Sequence, residues 1–262
     1  MPDQVVWILA TGIGAIVGSF LNVCIVRWPA GESVVRPRSR CPACAAPIAG
    51  YDNIPVLSWL LLRGACRHCR APISVQYPII ELATALIWLA AAIRFGSSIQ
   101  ALHSATFLTL VLGIALTDAR EMVIPDQFSL GGTVLGLALA AATGGPALLR
   151  ALIGAVSSYA LLWLVKLVAE RAFRKPALGV GDIHMMAMVG AYLGTSGALL
   201  TLLLGALLGL LIGLPLLWTR DRLKPMGSYL PLGTFLALGA AIAHGWGDRI
   251  IGWYLSVFLG LS

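Results

Sequence analysis

The stretch KPALGVGDIHMMAMVGAYLG, Lys175 to Gly194, decides what kind of protein this is. It has a single carboxylate, Asp182, placed after Gly-Val-Gly at the mouth of an apolar run. The whole chain shares that character: 59% of its 262 residues are hydrophobic and 11% are charged, and its mean hydropathy is +0.89. A soluble domain carries about 25% charged residues. The composition therefore predicts an all-α polytopic membrane protein, with the lipid bilayer as its solvent. No basic segment precedes the first apolar run, 5–26, and no small-residue cleavage site closes it, so it reads as a retained membrane helix rather than a signal peptide.

A spanning helix needs about 20 mostly apolar residues. Candidate spans are 5–26, 79–93, 100–117, 129–143, 147–167, 183–195, 197–218, 230–244 and 250–261, which gives about eight transmembrane helices. The formal charge of +7 suggests nucleic acid at first sight. In a membrane chain, loop Lys and Arg set orientation, so no nucleic-acid partner is inferred. With the N-terminus outside, 15 of the 18 Lys and Arg fall in inner loops, among them Arg220, Arg222 and Lys224, and Arg94, Arg150 and Arg249 fall outside. The long hydrophilic loop from Arg27 to Tyr77 is then cytoplasmic. The organisation expected is a first helix (1–26), a small cytoplasmic zinc-knuckle domain (27–77) and a membrane domain (78–262). No internal repeat is read.

The loop carries Cys41-Pro-Ala-Cys44 and Cys66-Arg-His-Cys69, two C-x-x-C knuckles with 21 residues between them. Four thiolates give Zn²⁺ a closed tetrahedral shell without an open catalytic position, so the expected role is structural. A reducing cytoplasm disfavours the alternative, disulfides. His68 is expected to be a bystander, and Cys24, alone in the first span, a small buried hydrophobe.

Most acidic residues fall in loops. Asp118, which closes ATFLTLVLGIALTD, and Asp182 are both placed at the cytoplasmic end of a span. An ionisable group there is a functional candidate by default. Facing each other, two such carboxylates would share a proton, one acting as base and the other as acid towards water and a peptide carbonyl. Gly179 and Gly181 would let a substrate backbone approach. The competing reading makes Asp182 an N-cap and Asp118 a hydrated helix-end charge, and the residues alone leave both open.

Taken in order, GSFLNVCIVRWP (Gly18–Pro29), the cysteine segment Arg40 to Thr84, TDAREMVIPDQFSL, GVGDIHMMAMVGAYLG and PLGTFLALGA (Pro231–Ala240) resemble the bacterial type IV prepilin peptidases, the bifunctional leader peptidase and N-methyltransferase family. The resemblance implies that Asp118 and Asp182 are the catalytic pair of an intramembrane aspartic protease in the bacterial inner membrane. It also implies cleavage of the basic leader of prepilins and pseudopilins, which serve type IV pili and type II secretion. The new N-terminal amine is then methylated from S-adenosylmethionine. Keeping all four cysteines goes with bifunctional members. Glu81, in YPIIELAT, matches an acidic position and is a candidate for cofactor or amine binding, or else an ion-pair partner of a nearby Arg. The family has Lys where His184 stands, so His184 is either a support for Asp182 that fades as pH rises or a neutral histidine with no catalytic task. It commonly has Pro where Thr234 stands. Asp126 is read as a favourable charge at a helix start, and Met185, Met186 and Met188 as packing. The other readings are a peptidase with an inactive methyltransferase half, a zinc-assembled membrane scaffold, and a proton- or cation-coupled transporter, which would carry its aspartates near mid-membrane.

Overall fold

The structure is a computed structural model and describes residues 3–175, 178–213, 215, 231–258 and 260. The inner-loop residues Arg220, Arg222 and Lys224 and the end of the expected span 197–218 lie outside the described residues. Among the described residues the chain is helical, with two isolated β-bridges and no strand. The helices are α1 (Asp3–Arg27), the short α2 (Leu57–Leu61), α3 (Gln76–Phe95), α4 (Ile99–Glu121), α5 (Asp126–Thr143), α6 (Gly145–Phe173), α7 (Val180–Leu208) and α8 (Leu232–Phe258). Five of these helical stretches are long and apolar enough to cross a membrane: α1, α3, α4, α6 and the run Val180–Gly213. The protein is a multi-pass membrane protein.

The chain divides into two compact units, Met1–Thr109 and Leu110–Ser262, with the boundary inside α4. In the first unit α1 packs on α3 through two glycines. A Cβ at Gly14 would press on Trp88, and one at Gly18 would press on the Glu81 backbone, so the helices approach closely along this line. Asn22 ties the same pair together by donating to the Tyr77 carbonyl at 3.1 Å. Cys24 is buried within α1, as its composition suggested.

The second unit is arranged around α7, whose residues 183 and 185–192 are buried. Met185, Met186 and Met188 have no exposed surface and serve as packing. Met188 fills the space over Gly132 of α5, and Tyr192 fills that over Gly136. Gly154 of α6 and Gly190 of α7 meet backbone to backbone.

The sequence suggested separate spans at 183–195 and 197–218. The structure joins them as one helical run broken at a single residue, Gly194, with φ 70° and ψ −179°. The contacts on either side show that the chain reverses there. Gly181 and Gly233, at the starts of α7 and α8, both lie against Ile124. Past the break, Leu200 reaches Gly247, whereas Gly205 lies on Leu236, back towards the start of α8. Both ends of α7 therefore lie at the end of this unit that carries Ile124. The expected spans 230–244 and 250–261 are likewise one helix, α8, of 27 residues. Counting the two limbs of α7 separately, the described residues contain eight long helical segments, in line with the expected number.

Glycine alone adopts the backbone conformation of Gly194 without strain. Gly194→Ala is expected to destabilise the second unit by about 1–3 kcal/mol, read as a lower melting temperature in detergent, with Ala at the helical Gly131 as a control.

Candidate active site and metal centre

Asp118 lies three residues before the end of α4 and is 6% exposed. Its carboxylate meets the first turn of α8, where backbone N–H groups have no partner within the helix. Thr234 donates to Asp118 Oδ2 twice, through its backbone N–H at 2.6 Å and its hydroxyl at 3.0 Å. Gly233 makes this approach possible, because a Cβ there would stand 3.0 Å from Asp118 Cγ and 2.6 Å from Ile124 Cδ1.

Asp182 is the third residue of α7, and the N-cap of that helix is Gly179. The reading of Asp182 as an N-cap is thereby corrected. The Asp182 carboxylate lies back against the N-cap Gly179, the side on which the third residue of a capping box sits. The start of α7 that carries Asp182 and the start of α8 that meets Asp118 close on the same residue, Ile124. The structure thus brings together the two carboxylates singled out in the sequence, each set against the N-terminal turn of a helix.

The two glycines differ in what lies beside them. The space beside Gly181 is filled by Ile124, whose Cβ would be 3.0 Å from a side chain there, so Gly181 serves contact within the chain rather than a substrate. A Cβ on Gly179 would stand 3.0 Å from Asp182 Oδ2. His184 does not pair with Asp182. Two residues along a helix turn a side chain about 200° round the axis, and His184 faces α5 instead. There its Nδ1 lies 2.7 Å from Asp126 Oδ1, and its ring stacks on Tyr159. Asp126 opens α5, where a negative charge suits the helix terminus. Thr234 was missed as a functional residue, because its only sequence signal was a departure from proline. A proline there would supply neither of the two hydrogen bonds that it makes.

In the first unit the four cysteines converge. The Sγ atoms of Cys41, Cys44, Cys66 and Cys69 all lie within 4.8 Å of one another, and those of Cys41 and Cys69 are 3.7 Å apart. Zn–S bonds of about 2.3 Å in a tetrahedron place sulfurs about 3.8 Å apart, so the cluster is compatible with a zinc ion. N–H groups of Cys44 and Ala43 point at the Cys41 sulfur and hold its thiol down at about 6. Those of Cys69 and His68 hold Cys66 below the usual thiol range. Both thus favour the thiolate form that binds metal. The His68 side chain is exposed and outside the thiol cluster.

The two knuckles are also copies of one another, contrary to the expectation of no repeat. RCPACAAPI (40–48) and ACRHCRAPI (65–73) share C-x-x-C-x-A-P-I. Every backbone bond of the first recurs 25 positions on (41 to 66): Cys41 N–H to Ala46 O and Cys66 N–H to Ala71 O, Ala45 to Cys41 and Arg70 to Cys66, Ile48 to Ser39 and Ile73 to Gly64. Ala45 and Arg70 share a left-handed conformation, with φ 58° and 60°. The repeat was overlooked because it is nine residues long and its variable positions differ in charge.

Glu81 is 7% exposed. Its Oε2 accepts the Val56 N–H at 2.7 Å, at the start of α2. Val56 is a β-branched residue with φ 62°, a conformation that needs support from its surroundings. Glu81 therefore acts as a clamp on the loop, and neither reading given to it in the sequence describes the contact it makes.

Two carboxylates at helix termini, Asp118 buried and Asp182 half-buried, and a four-cysteine cluster in a loop are more than a simple membrane anchor needs. Comparison with known proteins agrees. The description "Bacterial Peptidase A24 N-terminal domain" matches residues 13–95, and "Type IV leader peptidase family" matches 105–214. The chain is 39% identical over 271 residues to the prepilin leader peptidase/N-methyltransferase of Aeromonas hydrophila, covering 93% of this chain and 91% of the relative. The protein of the same description from Pseudomonas putida is 37% identical over 264 residues, 92% of this chain and 91% of the relative. That of Myxococcus xanthus (strain DK1622) is 39% identical over 213 residues, 81% of this chain, and the match spans 64% of the relative's length. No solved structure matches. The chain belongs to the type IV leader peptidase family.

Two changes test this geometry. Cys41→Ser is expected to cut the zinc content of purified protein from about one ion per chain to well under half, measured by mass spectrometry of the metal. Glu81→Ala is expected to destabilise the loop by about 1–3 kcal/mol, seen as faster hydrogen exchange across residues 54–62, with Glu81→Gln close to the parent.

Proposed function

We propose that this protein is a membrane aspartic endopeptidase that removes the short basic leader of type IV prepilins and pseudopilins, and that it then methylates the new N-terminal amine with S-adenosylmethionine as donor. The observation that carries this reading is the Asp118–Asp182 pair: Asp118 is bonded to the first turn of α8, Asp182 lies in the first turn of α7, and both helix starts close on Ile124. Like charges so placed are not both ionised cheaply, so the pair holds one proton between them. The ionised carboxylate takes a proton from water as the water oxygen bonds to the scissile carbonyl carbon. The protonated partner gives its proton to the carbonyl oxygen. Collapse of the tetrahedral intermediate breaks the C–N bond, and the departing amine takes up a proton.

The pair lies at the ends of its helices, where a peptide entering from water reaches it, rather than mid-span as a transporter would require. The charge asymmetry of the loops puts this end, the zinc domain of residues 27–77 and the start of the peptidase domain of residues 78–262 on the cytoplasmic side. The N-terminus is then periplasmic and the protein sits in the bacterial inner membrane. Cys41, Cys44, Cys66 and Cys69 hold a structural Zn²⁺. The methylation half is supported by the names of the relatives. Glu81 is the acidic candidate for cofactor or amine binding, and since the Val56 N–H engages only Oε2, Oε1 would be the oxygen that serves it.

The test is purified protein in detergent with a prepilin and labelled S-adenosylmethionine. Asp118→Asn and Asp182→Asn are each expected to lower cleavage by about a hundredfold or more, with the melting temperature retained. Cleavage at the parent rate in either variant overturns the pair. A cleaved product without label leaves a peptidase alone.

A further inference from the structure

We propose that Thr234 is the positioning residue of the carboxylate pair: its two hydrogen bonds occupy Oδ2 of Asp118, which leaves Oδ1 as the oxygen that exchanges protons with water and substrate. This rests on the reading of Asp118 as half of an acid–base pair.

Three features of the site support this assignment. Both Thr234 donors converge on the same oxygen, the N–H at 2.6 Å and the hydroxyl at 3.0 Å. An oxygen accepting two donors has little room for a proton of its own, so a proton carried by Asp118 sits on Oδ1. Second, the N–H is among those left unpaired at the start of α8, so it is fixed by the helix and cannot turn away. The hydroxyl can turn. Its other acceptor is the Ala115 carbonyl, farther off at 3.3 Å, and the carboxylate is both the nearer and the more strongly charged partner. Third, Gly233 and Ile124 close the space on that flank of Asp118, since even a methyl group on Gly233 would touch both the carboxylate and Ile124. The carboxylate plane is therefore held from the Oδ2 side, and neither Thr234 bond engages Oδ1. A carboxylate fixed in this way keeps a constant direction of proton transfer, and small errors in such a direction cost rate rather than affinity.

Three substitutions separate this role from packing. Thr234→Val keeps the shape and the N–H but loses the hydroxyl, Thr234→Ser keeps the hydroxyl but loses the methyl group, and Thr234→Pro loses both donors in a helical turn that tolerates proline. Steady-state cleavage of a prepilin is measured for each beside Asp118→Asn. The expected result is a kcat about tenfold lower for Val, the scale of one hydrogen bond to a charged group, with KM unchanged. Pro falls further than Val, and Ser stays within about threefold of the parent, because it restores the donor. A Ser variant as slow as Val, a Val variant with parental kcat, or a raised KM at parental kcat each overturns the proposal. If Val does not fold, the comparison of Ser with Pro decides, and a Pro variant with parental kcat overturns it. Cleavage by Asp118→Asn would sink the pair itself and this inference with it. An inactive Asp118→Asn beside a fully active Val sinks this inference alone.

Discussion

A carboxylate enters the apolar interior of a helix bundle only where donors replace the water it leaves behind. Helix starts supply such donors, because the first-turn N–H groups have no partner within the helix. The second unit brings two helix starts, those of α7 and α8, to the same end and gives each a carboxylate: Asp182 lies back against Gly179, and Asp118 reaches across to Thr234. Much of the packing nearby follows from this. Ile124 wedges between Gly181 and Gly233 because both helix starts must close on the short segment that follows α4. The reversal at Gly194 brings the second limb of α7 back along α8, and so places Gly205 beneath the start of that helix.

The membrane character, the cysteine cluster and the two aspartates were legible in the sequence because each has a signal that survives without geometry. These are an apolar run, a spacing, and a charge where charges are costly. The join at Gly194 was not legible in the same way. A single glycine among apolar residues reads equally as an interruption between two spans or as a kink in one. The partner of His184 was also hidden. Its position two residues after Asp182 suggested a shared task, whereas the turn of the helix sends the two side chains apart, and His184 meets Asp126 on another helix.

Thr234 and Glu81 show a second kind of limit. Both act through long-range contacts, 116 residues away in chain for Thr234 and 25 for Glu81. In each case the partner atom on one side is a backbone N–H, which no residue type announces. Glu81 stood out as a cofactor or amine candidate because it matches an acidic position of the family. Its acceptor oxygen is used to hold Val56 in a conformation that a β-branched residue avoids.

The duplicated knuckles bear on how metal would stabilise the first unit. Each copy supplies one buried and one exposed thiol, Cys41 with Cys44 and Cys66 with Cys69. Neither copy can complete a tetrahedral shell alone, so an ion held by all four ties together two points 25 residues apart (41 to 66). It would act on the unfolded chain as a cross-link does. By the loop-closure relation a tie of that length is worth about 3 kcal/mol through restricted chain entropy. The segment it encloses, which includes the 3-10 turn Gly50–Asn53 and α2, has only part of its side chains buried. For so small a loop, the order of that segment would depend on a closed ring as much as on a core.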